Sequence, residues 1–240
     1  MAVKFGLVLK PIFTVLLQND SYSGRVIRNM TKFLPIFPLN IIVYPGQYLN
    51  LHVFEPRYKQ LIHECKDEGK TFGIPSVFKE NLNEYGTEME LLEVSATYPG
   101  GEMDIKTRGA KIFRIMEVLR EVPQKEYSAA VVYEIQHLPF DTEVLNPTLV
   151  DLVDKLHKLL GTDFNLYEKF QNPLSYELAQ YVALSPEDQY RMLTATSEKG
   201  RQWFLIQHLL KLIPNLEEAE KTKSKVQMNG HFKHEVPPKF

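Results

Sequence analysis

The first half of the chain alternates apolar and polar residues in short runs. The alternation is clearest in 47–54, QYLNLHVF, where aliphatic residues occupy 49, 51 and 53. Because successive side chains of a strand point to opposite faces, this segment predicts a β-strand whose aliphatic face is buried. Its polar and aromatic face consists of Tyr48, Asn50, His52 and Phe54.

Other apolar runs up to about residue 136 are equally short. The Pro-Gly-Gly turn at 99–101 indicates a hairpin between two of them. Gly109 predicts a bulge or a tight corner before a further strand at 111–119. Roughly six or seven short strands of this kind are typical of a curled sheet or a partly open barrel.

One helical pattern interrupts the strands. Pro56 suits the first turn of a helix, where its missing N–H costs nothing, and Gly69 suits the C-terminal end. The residues between them repeat at i, i+3, i+4 and i+7, which puts them on one side of the helix. These apolar residues are Tyr58, Leu61, Ile62 and Cys65.

From residue 146 the apolar spacing becomes helical. Asn146, followed by proline, predicts a capped helix that ends at Gly161. Ser175 and Ser185 are expected to cap two short helices. A last helix is expected to end at Pro214, because proline cannot donate a helical hydrogen bond. Its predicted apolar stripe consists of Trp203, Ile206, Leu210 and Ile213.

These patterns together predict an α+β fold, with a β-rich subdomain that contains one inserted helix, followed by a helical bundle. The β-rich subdomain is expected at 30–140, the bundle at 145–214 and a disordered polar tail at 215–240. Residues 1–29 contain an apolar run broken by Lys10-Pro11 without a clear cleavage site. We expect a non-native or flexible extension there, with translation starting at Met30; a weak export signal is the other interpretation.

Composition narrows the classes of partner. The net charge of −2 and the pI near 6.4 give no basic excess of the kind that nucleic-acid binders carry. No run of about 18 apolar residues is present, so no membrane partner is expected. The single cysteine, Cys65, cannot form an internal disulfide, which suits the reducing cytoplasm.

Three stretches of the first half carry ordered motifs. They are LPIFPLNIIVYPGQYLNLHVFEPRYKQLI (34–62), YGTEMELLEV (85–94) and GGEMDIKTRGAKIFRIMEV (100–118). Their order of prolines, glycines and charges resembles the N-terminal, substrate-binding domain of Lon proteases, and 174–210 is similar to its helical bundle more loosely. The resemblance covers about 33–214.

The resemblance implies a β-rich pseudo-barrel related to PUA-like domains, followed by helices. It also implies a role in holding polypeptide substrates, while other Lon domains hydrolyse ATP and peptide bonds. No Gly-x4-Gly-Lys-Ser/Thr motif occurs. We therefore predict a stand-alone, non-enzymatic recognition module without a cofactor. Its expected partners are unfolded or extended polypeptides, with a protease or a chaperone as further candidates; the sequence leaves the oligomeric state open.

Aromatic residues are the candidates for peptide contact, because rings bury a large area at little entropic cost. For most of them we favour a place in the core, because a small β-rich subdomain needs large side chains to fill it. Tyr44 and Tyr48 are expected to be exposed because they flank the turn Pro45-Gly46. The candidate peptide-binding residues are Tyr44, Tyr48, Phe54, Phe72 and Phe78.

The residues of the family motifs are expected to fix the fold. For Glu55 and Arg57 there are two interpretations, a contact with the backbone of a bound substrate or a structural role at the strand–helix junction. We favour a junction role, with the Glu55 carboxylate accepting helix N–H groups. The predicted structural residues are Pro35, Pro38, Pro45, Gly46, Glu55, Pro56, Arg57, Tyr58, Gly86, Thr87, Gly109 and Phe113.

Neither a reactive cysteine nor a metal site is predicted from the sequence. Cys65 lies on the inward stripe of its helix and is expected to be an inert buried thiol. The histidines show no paired metal spacing, so no metal site is predicted.

The alternative function is a small-ligand or RNA-binding module on a PUA-like scaffold. Its basic candidates, which have acidic neighbours, are Lys106, Arg108, Lys111 and Arg114.

Overall fold

The computed structural model describes residues 31–78, 81–135, 144–170 and 174–230. The strands are β1 (Thr31–Pro35), β2 (Tyr48–Val53), β3 (Phe72–Phe78), β4 (Asn81–Thr97), β5 (Met103–Leu119) and β6 (Ala129–Glu134). The helices are α1 (Pro56–Glu68), α2 (Pro147–Leu159), α3 (Leu166–Lys169), α4 (Ser175–Ala179), α5 (Pro186–Thr194) and α6 (Glu198–Gly230). The predicted α+β class is confirmed.

The described residues fall into two compact units. The β-rich unit contains those up to 135 together with Ala183–Ser197, and therefore includes α5. The helical unit contains those from 144 to Val182 and from Glu198 onward. The predicted extension 1–29 lies outside the described residues.

The strands of the β-rich unit form one antiparallel sheet in the order β1-β6-β5-β4-β3, and β2 pairs separately with β5. After β1, the chain forms parallel bridges from Ile36 to Gly73 and from Leu39 to Ser76, both in β3. Because β1 and β3 are the two ends of the strand order, these bridges close the sheet on itself. The predicted barrel-like sheet is thereby confirmed.

Strand β5 runs unbroken through Gly109. Met89 pairs with Gly109 and Glu88 with Lys111, so Ala110 is an extra residue in β5 and forms a bulge. A Cβ at 109 would lie 2.2 Å from the carbonyl oxygen of Tyr44, so only glycine fits this approach. The predicted bulge is confirmed. The prediction that a separate strand begins at 111 is wrong, because the pairing of β5 with β4 continues across the bulge.

Helix α1 follows its sequence pattern. Pro56 occupies the first turn, and Gly69 ends the helix with φ of 63°. The four residues of the predicted stripe are all buried: Tyr58, Leu61, Ile62 and Cys65. They pack in one core cluster with residues from the sheet, among them Val53, Phe72, Met89, Met103 and Ile105.

Helix α5 packs in the β-rich unit. Its predicted cap is confirmed, since Ser185 accepts a hydrogen bond from the N–H of Asp188. The Tyr44 hydroxyl donates to the carbonyl oxygen of Gln189 at 3.1 Å. The N–H of Tyr85 donates to the Tyr190 hydroxyl at 3.3 Å. Two tyrosine hydroxyls thus bond α5 to segments more than 100 residues away in sequence.

In the helical unit, α2 begins as predicted. The Asn146 side chain accepts from the N–H of Thr148 at 2.9 Å, and Leu149, Val153 and Leu156 are buried. Ser175 is not a cap, which corrects the prediction. It is the first residue of α4, and its hydroxyl is buried against Glu198.

Helix α6 differs from its prediction at both the stripe and the end. Its buried apolar residues are Leu205, Ile206, Leu209 and Ile213, whereas Trp203 and Leu210 are 62% and 51% exposed. The helix continues through Pro214 to Gly230, so the expected end is wrong. The helix is packed on both sides of the proline: Ile213 before it is buried, and Glu217 after it pairs with Lys155 at 2.9 Å.

The predicted tail therefore overlaps the end of α6, and 231–240 lie outside the described residues. Within the described ranges, no helix combines the length and the apolar character that crossing a bilayer requires.

Candidate functional site

Strand β2 lies at an open edge of the sheet. It pairs with β5 from Tyr48–Arg108 to Val53–Met103, and the same part of β5 pairs on its other side with β4. Among the described residues, no strand pairs with the second edge of β2. We call the three strands β2, Met103–Arg108 of β5 and Glu90–Thr97 of β4 the arm.

The backbone of β2 points alternately to its two edges. Gly109 donates its N–H to the carbonyl oxygen of Gln47 at 2.9 Å, and the Thr107 hydroxyl donates to the carbonyl oxygen of Leu49 at 2.8 Å. Odd-numbered residues therefore direct their backbone toward β5. The N–H and C=O groups of Tyr48, Asn50 and His52 point to the open edge.

Two large rings flank this edge on the outer face of the arm. Tyr48 at the start of β2 is 69% exposed, and Phe54 just after its end is 61% exposed. The polar residues Asn50 and His52 lie between them and are also exposed. The alternation predicted for this strand is confirmed.

The inner face of the arm is apolar and incompletely covered. Leu49 and Leu51 of β2 and Leu91 and Val94 of β4 pack against the core but remain partly exposed. In the register they form two rows, Leu49–Thr107–Leu91 and Leu51–Ile105–Val94. Strand β2, at the open edge, thus borders a partly exposed apolar surface.

His52 belongs to a small polar cluster on the outer face. Its Nδ1 lies 2.7 Å from Asp104 Oδ1, and the Tyr98 hydroxyl donates to Asp104 Oδ2 at 2.6 Å. The hydrogen bonds from Tyr98 and His52 lower the pKa of the Asp104 carboxyl. A shallow depression beside this cluster is lined by Asn50, Leu51, His52, Ser95, Asp104, Ile105 and Lys106.

The basic residues proposed for RNA contact are each paired with a carboxylate. Lys106 bonds Glu93 at 2.9 Å, and Arg108 bonds Glu90 at 2.8 Å. The other two pairs, Lys111–Glu134 and Arg114–Glu84, measure 3.0 and 2.9 Å. Alternating opposite charges across strands form a neutral ladder rather than a cationic surface.

The five candidate peptide residues separate into different places. Tyr48 and Phe54 are exposed beside the open edge, as described above. Tyr44 is only 2% exposed, so its expected exposure is wrong: the turn carries its ring inward, where its hydroxyl reaches α5. Phe72 is fully buried in the core, and the side chain of Phe78 lies outside the described part.

The Glu55–Arg57 motif makes a local ion pair. Arg57 donates to Glu55 Oε2 through Nε at 3.0 Å and Nη2 at 2.6 Å, and its guanidinium lies 4.6 Å from the centre of the Tyr58 ring. The Glu55 side chain caps no helix N–H, which corrects our expectation. Its carbonyl oxygen accepts from the N–H groups of Tyr58 and Lys59 instead.

Other motif residues lie at tight contacts in the barrel. Pro45 and Gly46 form a turn in which Gln47 donates to Tyr44, with φ of 82° at Gly46. The Thr87 hydroxyl donates to the carbonyl oxygen of Val43 at 2.5 Å. A Cβ at Gly86 would lie 2.5 Å from the carbonyl oxygen of Ile74. Phe113 is buried, Pro35 ends β1, and Pro38 lies in the segment that bridges β3.

Cys65 is a poor nucleophile in this setting. It is buried in the core cluster, and burial raises the pKa of its thiol to about 11. The thiol is therefore protonated near neutral pH. In the ranges that the structure describes, no group of three or more His, Cys, Asp or Glu side chains is placed to hold a metal ion.

Sequence reasoning missed two parts of this site. His52 and Asp104 meet across strands 52 residues apart in sequence, for which the alternation in β2 gives no signal. Leu91 and Val94 were missed because register shifts between Leu91 and Glu93 and between Val94 and Ala96 break the period of two.

Comparison with known proteins agrees with this architecture. Residues 33–211 match the family model described as the ATP-dependent protease La (LON) substrate-binding domain. A Lon N-terminal domain protein from Xanthomonas campestris is similar in fold, with a TM-score of 0.56, 24% identity and coverage of 76% of this chain and 99% of that one. The N-terminal domain of Mycobacterium avium complex Lon protease gives a TM-score of 0.56, 16% identity and coverage of 75% and 100%. The resemblance drawn from the motifs is confirmed.

Proposed function

Because this chain belongs to the family of substrate-binding domains of ATP-dependent Lon proteases, we propose that it binds unfolded or extended polypeptide at the open edge of β2. The observation that carries the proposal is this edge, flanked by exposed Tyr48 and Phe54. No chemistry on the bound chain is proposed.

Backbone pairing would supply the affinity. An extended chain placed along β2 meets the N–H and C=O groups of Tyr48, Asn50 and His52, which lack a strand partner among the described residues. Such pairing is independent of sequence, because every residue except proline carries both groups. The two rings would add apolar contact at each end.

The paired charges of the arm favour this function over RNA binding. Each of the four basic residues of β5 already bonds a glutamate. Contact with phosphate would have to break these pairs, and no basic excess would remain. A polypeptide strand needs no charge from the protein.

We further propose that the chain delivers bound polypeptide to a protease or a chaperone and that it acts in the cytoplasm. The family supports delivery, since its described role is substrate binding in an ATP-dependent protease. The single buried thiol supports the cytoplasmic location, because it suits a reducing compartment.

The test is a fluorescence-anisotropy titration of a labelled, permanently unfolded polypeptide with the full chain. A native globular protein that carries the same label is the control. Saturable binding of the unfolded chain alone, at micromolar Kd or tighter (about −8 kcal/mol), is expected. The proposal fails if neither ligand binds or if both bind equally.

Two variants at one position then test the edge. Asn50→Pro removes an N–H that points to the open edge and leaves the bonds to β5 in place. Asn50→Thr keeps this N–H and suits a strand. We expect at least about tenfold weaker binding for Asn50→Pro and a change of less than about twofold for Asn50→Thr. Equal affinities would place the binding elsewhere.

A further inference from the structure

We propose that the open edge of β2 selects a particular class of polypeptide: extended, uncharged segments in which apolar and polar residues alternate. The selection arises because a segment paired with β2 presents one of its faces to the inner side of the arm and the other to the outer side. This inference rests on the proposed function and adds its specificity.

The inner side of the arm demands apolar residues. Leu49 and Leu51 are partly exposed at the strand that borders the open edge, and their neighbours in the two rows continue the apolar surface across the arm. Side chains of a neighbouring strand lie about 5 Å away on the same face. Every second side chain of an added strand would therefore cover Leu49 and Leu51 and bury the apolar area that they still expose.

The outer side of the arm accommodates polar or aromatic residues and offers no partner to a charge. The four outward positions along β2 are Tyr48, Asn50, His52 and Phe54. The charged groups next to them already have partners, since His52 and Tyr98 hydrogen-bond Asp104 and Arg108 bonds Glu90. A charged residue on the outer side of the incoming segment gains no partner there, and one on the inner side would lose water over Leu49 and Leu51.

The length of β2 sets the length of the segment. The strand has 6 residues, and at about 3.3 Å per residue it spans roughly 20 Å. Tyr48 and Phe54 bound this span. A segment of about seven residues therefore fills the edge, and apolar residues with helical spacing would place half of their side chains on the wrong face.

The experiment compares two labelled nine-residue peptides of identical composition, binding to the full chain. In one peptide, valine and leucine alternate with serine and threonine; in the other, the same residues are permuted to a helical spacing of i, i+3, i+4 and i+7. We expect the alternating peptide to bind at least tenfold more tightly. Equal affinity would overturn the inference.

A second comparison uses backbone N-methylation of the alternating peptide. Methyl groups on odd residues block the N–H groups at one of its edges, and methyl groups on even residues block the other edge. We expect one series to lose binding at least tenfold and the other to change less than threefold. Equal effects of the two series would overturn edge pairing with β2.

The variant Leu51→Ser tests the inner face in the protein itself. It should reduce the preference for the alternating peptide at least threefold, and a circular dichroism spectrum like that of the unsubstituted chain shows that the fold is kept. An unchanged preference contradicts the inference. Binding of the unfolded polypeptide together with equal binding of both peptides would leave the proposed function standing and remove only its specificity.

Discussion

Helices α1 and α6 both carry an apolar repeat, yet α1 buries all four residues that the repeat indicates and α6 buries only two of its four, Ile206 and Ile213. In α1 the polar residues between the buried positions are half-buried or exposed. In α6 the buried face begins with three polar residues and continues into apolar ones. The buried polar residues are Glu198, Arg201 and Gln202.

The polar residues at the start of α6 form a bonded network. Glu198 accepts from the Ser175 hydroxyl at 2.7 Å and from Arg201 Nη2 at 2.8 Å. Gln202 accepts from the N–H of Asn146 at 2.7 Å. The first turn of α6 is thus bonded to the starts of α2 and α4. A buried face can be polar where every group finds a partner, and an apolar pattern does not reveal such a face.

The largest effect is expected from Arg201→Ala. It leaves the Glu198 carboxylate buried without its cation, which costs about 3–5 kcal/mol. Urea unfolding followed by the fluorescence of Trp203, the single tryptophan, reports on the helical unit. Lys211→Ala is the matched control, because Lys211 is a basic residue exposed on the same helix; it should cost less than about 0.5 kcal/mol. A loss below about 1 kcal/mol for Arg201→Ala would contradict the role given to the network.

A smaller loss is expected from Leu61→Ala in α1. Leu61 is fully buried in the core cluster, so the substitution removes apolar contacts and leaves a cavity, at about 3 kcal/mol. The measurement is urea unfolding followed by far-ultraviolet circular dichroism. His63→Ala, on the exposed side of the same helix, should change stability by less than about 0.5 kcal/mol. Similar losses for the two variants would contradict the burial pattern of α1.

The helical unit also contains a buried histidine, which predicts a modest dependence on pH. His157 stacks on Phe164 at 4.0 Å and bonds Thr162 at 2.7 Å. Burial lowers its pKa, against the opposing effects of the Tyr181 backbone and Asp154, whereas Lys169 acts in the same direction as burial. The unfolded chain therefore takes up this proton first as pH falls below about 6.5, and stability is lost there.

The measurement is the urea midpoint at pH 7.5 and at pH 5.5, followed through Trp203. The midpoint should be lower at pH 5.5, and His157→Phe, which keeps the stacked ring, should reduce this difference. An undiminished difference in the variant would assign the pH dependence to other groups.

The buried face of an element could be predicted from the sequence where a single apolar period runs along the whole helix or strand. The stripe of α1 and the alternation of β2 follow from local spacing, because a continuous apolar core lies on one side of each. The positions of Tyr44 and of the His52–Asp104 pair depend on partners far along the chain. The edge of β2 as a candidate site depends on the strand order, which no local pattern contains.

The smallest effects are expected from Trp203→Ala and Leu210→Ala. A stripe centred on these residues would make each substitution cost about 2–5 kcal/mol. Both side chains are more than half exposed, because the polar network turns the neighbouring face of α6 inward. We therefore expect the free energy of unfolding to change by less than about 0.5 kcal/mol for each, measured by circular dichroism at 222 nm during urea unfolding.

The matched variant is Leu209→Ala, one position from Leu210 and fully buried, which should cost about 3 kcal/mol. Equal losses at 209 and 210 would mean that polar residues do not set the buried face of this helix.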